Sequence, residues 1–244
     1  MNKLELKNVY KKYNGQQKYV LEDIELNVKD GEFVAIMGRS GSGKTTLLNS
    51  VSTIDKINEG TILCGDIDIT KLTDGQTSEF RKNEIGFVFQ DYMLLDSLTV
   101  RENIAVALSL KNVRKKEIDS IIDKYAKQLG IYEQLSKYPY QLSGGQKQRV
   151  SIIRAIIKKP LILFADEPTG ALDLQSSKDI MEVFRKINKE LNVTILMVTH
   201  DAVSSSYSDR VILLKDGKIE KEIYKQDNDL FYEEITHSLS KLGE

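Results

Sequence analysis

An unbroken apolar stretch, Phe33-Val34-Ala35-Ile36-Met37, runs directly into Gly38-Arg39-Ser40-Gly41-Ser42-Gly43-Lys44-Thr45 and on into Thr46-Leu47-Leu48. A buried strand, a glycine-rich turn and a helix in that order leave a chain few folds to choose from. The glycines let successive backbone N–H groups curl around phosphate oxygens at a helix N-terminus. Lys44 is placed to neutralise the β and γ phosphates, and the Thr45 hydroxyl to ligate Mg²⁺, a hard ion that takes oxygen ligands and keeps waters. The alternative, a glycine-rich turn that merely caps a helix, is weakened by the apolar strand before it.

The rest of the composition bounds the class. With 244 residues, 41% of them hydrophobic, the chain suits one large domain or one domain with a sizeable insert. A formal charge of −1 argues against bulk binding of DNA or RNA. Cys64 is the single cysteine, so no intrachain disulfide forms and a reducing cytosol is expected; it reads as a buried small hydrophobe. Apolar runs are far shorter than the ~20 residues a membrane span needs. Met1–Tyr10 alternates as a strand does and lacks the pattern of a signal peptide.

Residues 1 to about 37 read as short strands, with turns at Tyr13-Asn14-Gly15 and Lys29-Asp30-Gly31. From about 94 to 159 the period turns helical, with Ile118, Ile121, Ile122, Tyr125 and Leu129 three and four apart on a charged background. A helical insert is expected there. After Pro160 come an apolar strand at Leu161–Ala165, a helix around Ile180–Leu191, a second apolar strand at Val193–Val198, and a closing hairpin through Asp216-Gly217. This alternation predicts an α/β fold with a parallel sheet. The last twenty residues predict a small terminal helix through Leu230, Phe231, Ile235 and Leu239, with a partner-binding element as the alternative.

Several side chains belong with the phosphate loop. Asp166 and Glu167 end the strand at 161–165, where phosphoryl transfer needs one group for Mg²⁺ and one for water; an N-cap and first-turn acid of a following helix is the plainer reading. His200 follows the strand ending at Val198, at the sheet edge where open α/β sheets place ligands. Ser143-Gly144-Gly145-Gln146 opens a helix marked by Val150, Ile153 and Ile157, a second anion-binding terminus or a simple cap. Gln90 is a candidate Mg²⁺ or water contact and Tyr13 a candidate platform for adenine.

Taken in order, the loop at 38–45, Gln90, Leu142-Ser143-Gly144-Gly145-Gln146, Asp166-Glu167, Ala171-Leu172-Asp173 and His200 resemble the ATP-binding subunits of ATP-binding-cassette (ABC) transporters. The resemblance covers residues 3–225. It implies a P-loop NTPase core with an N-terminal antiparallel β subdomain and a helical insert, residues 1–225 being one nucleotide-binding domain and 226–244 a short tail. It further implies a head-to-tail homodimer, with ATP between Gly38–Thr46 of one copy and Ser143–Gln146 of the other. In that scheme Tyr13 stacks on adenine, Thr45, Gln90 and Asp166 hold Mg²⁺, Glu167 polarises the attacking water, His200 contacts the γ-phosphate, and Asp173 helps tie the two sites together.

Within the family, Asp91-Tyr92 and Leu94-Leu95-Asp96, with Phe80–Lys82, Gly86–Gln90, Thr99–Ile104 and Phe164–Asp173, look closest to the bacterial bacitracin-type peptide-resistance transporters, cousins of macrolide-export and lipoprotein-release ATPases. Met93 departs from the Asn expected there. The implied partner is an integral membrane permease, reached through Gln90 and the Asp91–Thr99 segment, and the implied location is the cytoplasmic face of a bacterial membrane. Lipoprotein-release, macrolide-export and regulatory cell-envelope roles are the alternatives. A ribosome- or DNA-directed ATPase is disfavoured by the single cassette and the absence of a long heptad run.

Overall fold

The computed structural model describes residues 1–15, 17–111, 113–226 and 230–241. Its core is a sheet in the order β10-β9-β3-β8-β7-β6, formed by Lys218–Tyr224, Arg210–Lys215, Phe33–Met37, Ile195–Val198, Ile162–Asp166 and Ile85–Val88. Only the β9–β10 hairpin is antiparallel; β9, β3, β8, β7 and β6 all run the same way. In β3 all five residues are fully buried, as expected of a strand covered on both faces. Phe33, Ala35 and Met37 face one hydrophobic cluster, while Val34 and Ile36 face the other. The period-2 alternation therefore divides two cores rather than core from solvent.

A second sheet lies against the Val34 side, in the order β2-β1-β4-β5, from Leu21–Lys29, Asn2–Lys11, Glu59–Cys64 and Ile67–Asp68. All of its pairings are antiparallel. The β-rich start expected from sequence is thus split. β3 joins the parallel sheet, while β1 pairs with β2 and with the later strand β4, which sets Leu4 against Cys64 and Leu6 against Ile62. Cys64 is buried, and burial pushes its thiol up to about 12, which leaves it an inert hydrophobe. Arg210 in β9 locks the two sheets together, donating to Glu32 at 2.8 Å, to Glu222 at 2.9 Å and to the Asn27 carbonyl.

The helices are α1 (Lys44–Val51), α2 (Asp74–Glu84), α3 (Val100–Leu110), α4 (Lys115–Gln128), α5 (Gly144–Ile156), α6 (Leu174–Leu191), α7 (Ala202–Ser205) and α8 (Leu230–Lys241). Between β6 and β7 lie α3, α4 and α5, in the region expected to be helical. Leu94–Thr99, however, is not helical: Thr99 is the N-cap of α3, in a box with Glu102, and so helix begins only at Val100. Two further differences have local causes. The helix expected from about Ile180 starts at Leu174, because Asp173 caps it through Ser176 and its first turn is polar or exposed. The polar α2 has only Thr77 and Phe80 buried, too little for periodicity to reveal, although its Thr73–Gln76 capping box is a readable start signal.

Candidate active site

Parallel strands deliver their carboxyl ends to one edge of the sheet, and the expected residues gather there. β3 feeds the phosphate loop, β7 ends on Asp166 and Glu167, and β8 leads to Thr199 and His200. A cleft of about 830 Å³ opens between them. Gly38–Gly41, Gly43–Thr46, Glu167 and His200 line it. Gly43 is the N-cap of α1 with φ +103°, and a Cβ there would lie 2.8 Å from the Val20 carbonyl oxygen. Gly43→Ala is therefore expected to strain the loop by about 1–3 kcal/mol and lower ATP affinity by at least ~10-fold. Calorimetric titration checks this, and wild-type affinity in the variant would refute it.

Lys44 is buried, its Nζ donating to the carbonyls of Gly38 at 2.8 Å and Arg39 at 3.0 Å. Burial lowers the pKa of its ammonium, and the nearby carboxylates of Glu167 and Asp166 work against that shift. Asp166 shows the converse. Burial and the neighbouring Glu167 charge raise its pKa, while Lys44 pulls it back. Two adjacent carboxylates beside one lysine make a site short of positive charge. Thr45, whose side chain is exposed at the cleft, adds a hydroxyl oxygen. This hard oxygen donor set suits Mg²⁺ completed by waters and phosphate oxygens. Among the described residues no three His, Cys, Asp or Glu side chains converge as a self-sufficient metal cluster.

Glu167 adopts φ +45°, with its N–H donating to the Val198 carbonyl at 2.9 Å. Its Oε1 lies 2.9 Å from His200 Nδ1, and its side chain is only 19% exposed against 72% for His200. The carboxylate is thus held at the edge of the cleft, with its partner imidazole in solvent. The N-cap alternative for the Asp166-Glu167 pair does not apply, since the next helix, α6, is capped by Asp173.

Asp166 and the remaining expected residues lie outside the cleft lining. Tyr13 Oη is 3.4 Å from Thr46 Oγ1, and Lys11 Nζ sits 4.7 Å from the Tyr13 ring centroid. A purine would have to stack on the opposite face of that ring. Gln90 lies against Gly170, where a Cβ would come within 2.9 Å of its Nε2. Ser42 Oγ is buried without a partner beneath the loop. Ser143–Gln146 and Asp173 form their own cluster: Ser143 and Gln146 close a capping box, Gly144 abuts Leu172 and Tyr92, Gly145 abuts Ser176, and Asp173 accepts from Ser176 N–H at 2.9 Å. None of these residues lines the cleft.

Three residues brace or border the site without having been singled out for it in the sequence. Gln148, fully buried in α5, donates through Nε2 to the Pro168 carbonyl at 2.6 Å and the Phe89 carbonyl at 3.4 Å. It binds the segments after Glu167 and before Gln90 to one helix. Its signal was available: a polar residue within the buried stripe Gln148, Ser151, Ile152, Ala155. Val20 and Leu239 add aliphatic wall to the cleft and carry no chemical signature at all.

The chain also has clear relatives among known proteins. The profile of the family described as ABC transporter matches residues 21–170. The bacitracin export ATP-binding protein BceA of Halalkalibacterium halodurans is 47% identical, over 98% of this chain and 96% of that protein. The ABC transporter ATP-binding protein YxdL of Bacillus subtilis is also 47% identical, over 99% and 95%. Among solved structures, the dimeric post-hydrolysis state of the ATP-binding cassette MJ0796 bound to ADP and Pi superposes with a TM-score of 0.82 at 38% identity, covering 92% of this chain and 100% of that one.

Proposed function

Given that the chain belongs to the ABC transporter family of ATP-hydrolysing subunits, we propose that it powers a permease conferring resistance to antimicrobial peptides such as bacitracin. The full-length similarity to a bacitracin export ATP-binding protein carries this reading, at 47% identity over 98% of the chain. The Asp91-Tyr92 and Leu94-Leu95-Asp96 motifs, which lie within that similarity, point the same way.

In this reading residues 1–225 work as one nucleotide-binding domain, and two copies close head to tail around ATP. That Ser143–Gln146 and Asp173 lie together but outside their own chain's cleft supports a site completed by the second copy, as does the dimeric form of the MJ0796 cassette. Mg²⁺ would be held by Thr45, Asp166 and Gln90, lowering the charge on the phosphates. Glu167 would take a proton from the attacking water, His200 would orient the γ-phosphate, and Lys44 would exchange its carbonyl contacts for phosphate oxygens.

Among the described residues no helix is long and apolar enough to cross a membrane, so a separate permease would hold the chain at the cytoplasmic face. An apolar groove supports a docking place. Ile54, Met93 and Leu110 are each more than half exposed along it, and Arg81, Lys82 and Lys158 rim it. Arg154 of α5 donates to the carbonyls of Tyr92 and Met93, both held at positive φ. The segment after Gln90 is thereby bound to the helix that Ser143–Gln146 opens, a route from nucleotide to membrane partner.

The test is growth inhibition by bacitracin, nisin-like and other cell-wall-directed peptides, in cells lacking the protein and complemented with wild type or Glu167→Gln. Hypersensitivity rescued by wild type alone is expected. Unchanged sensitivity to every peptide would overturn the peptide-resistance role and turn attention to lipoprotein release or macrolide export.

A further inference from the structure

The terminal helix expected from the sequence is present as α8, and it is docked against the rest of the fold. α8 lies antiparallel to β10, and successive contacts set its course. Lys225 Nζ sits 5.5 Å from the Phe231 ring centroid, and Lys221 Nζ donates to Glu234 Oε1 at 2.9 Å and Ser238 Oγ at 3.1 Å. As β10 is followed back from Tyr224 toward Lys218, α8 advances from Phe231 toward Leu239, so the end of the helix approaches the β9–β10 turn. That turn touches the phosphate loop, since the Gly217 N–H donates to the Ser42 carbonyl at 3.0 Å. Phe231 and Ile235 are buried in the main core, which fixes where the helix ends.

Leu239 then reaches the cleft. It is half-buried against the core and lines the same cavity as the phosphate loop and His200. The remaining lining is backbone, hydroxyl groups and charge, apart from Val20. Methyl groups gain nothing beside a triphosphate, whose oxygens require N–H groups and cations, whereas the faces of a purine and a ribose lose water favourably against aliphatic carbon. We propose that Leu239 is a nucleotide-contacting residue that forms, with Val20, an apolar wall against the nucleoside end of ATP. The C-terminal helix is then part of the nucleotide site, and this rests on the reading of the cleft as the place where ATP binds.

Calorimetric titration of the full chain with ATP and with inorganic tripolyphosphate tests it. Leu239→Ala is expected to weaken ATP about fivefold and to leave tripolyphosphate within about twofold, because only the nucleoside loses apolar contact. Leu239→Met should restore ATP binding, and Leu230→Ala, at the exposed start of α8, should alter neither ligand. Wild-type ATP affinity in Leu239→Ala, or equal weakening of both ligands, would overturn the proposal. Lys44→Ala separates the two readings. If that variant binds both ligands normally, the cleft is not the ATP site and the proposal falls with it. If it loses both while Leu239→Ala behaves as wild type, the cleft stands and only the role of Leu239 falls.

Discussion

Glu167→Gln should bind ATP with wild-type affinity and hydrolyse it ~10²–10⁴-fold more slowly, the range general-base catalysis contributes. The substitution is nearly isosteric, and the position tolerates little else. The backbone at Glu167 sits at φ +45° with its N–H committed to Val198, and the side chain is mostly buried beside His200 Nδ1. An amide still places an oxygen there but accepts a proton from water far less readily. Because turnover would stop while nucleotide stays bound, the variant should accumulate as an ATP-dependent dimer. Steady-state phosphate release and size-exclusion chromatography with and without ATP read both effects. Turnover above a tenth of wild type would remove Glu167 from the role of base.

Lys44→Ala acts at the earlier step. Its ammonium is desolvated between two loop carbonyls, and incoming phosphates would replace those with full negative charges. Removing one partner of such a buried charge pair costs about 3 kcal/mol, or roughly 100-fold in affinity. ATP binding should therefore fall by that factor, with turnover lost alongside it at cellular ATP concentrations. Thermal unfolding separates the effect from misfolding. The variant should lose most of the upward shift in Tm that ATP gives the wild type, while its nucleotide-free Tm stays close. Tight ATP binding by the variant would refute the assignment.

The phosphate loop, Asp166-Glu167 and His200 were legible because each is a short polar word at the end of a fully apolar strand, and parallel strands bring such ends together wherever they lie in sequence. The central strands and the closing hairpin were legible for the same local reason. What could not be read depends on distant pairing. Nothing near Glu59–Cys64 says that it will lie beside Leu4 and Leu6, since register is chosen by the partner. Ser143–Gln146 illustrates another limit: its residues announce an anion-binding helix start, yet within one chain they cap α5 and leave the cleft alone. Leu239 marks a third, because an aliphatic side chain looks alike in a core and in a binding wall.

The contrast between Gln148 and the groove lip bears on how such a subunit can diverge. Gln148 supports two carbonyls beside the cleft edge from a fully buried position, and a replacement that cannot donate strands the buried Pro168 carbonyl at about 1–3 kcal/mol. Drift there is closed off by solvation, before catalysis enters. Ile54, Met93 and Leu110 stand open along the groove, where a new side chain disturbs little inside the fold. If the groove seats the permease as proposed, a duplicated copy acquires a new partner through neutral steps at its rim, with its nucleotide cleft untouched. Met93, the residue that breaks the expected local pattern, stands on that rim.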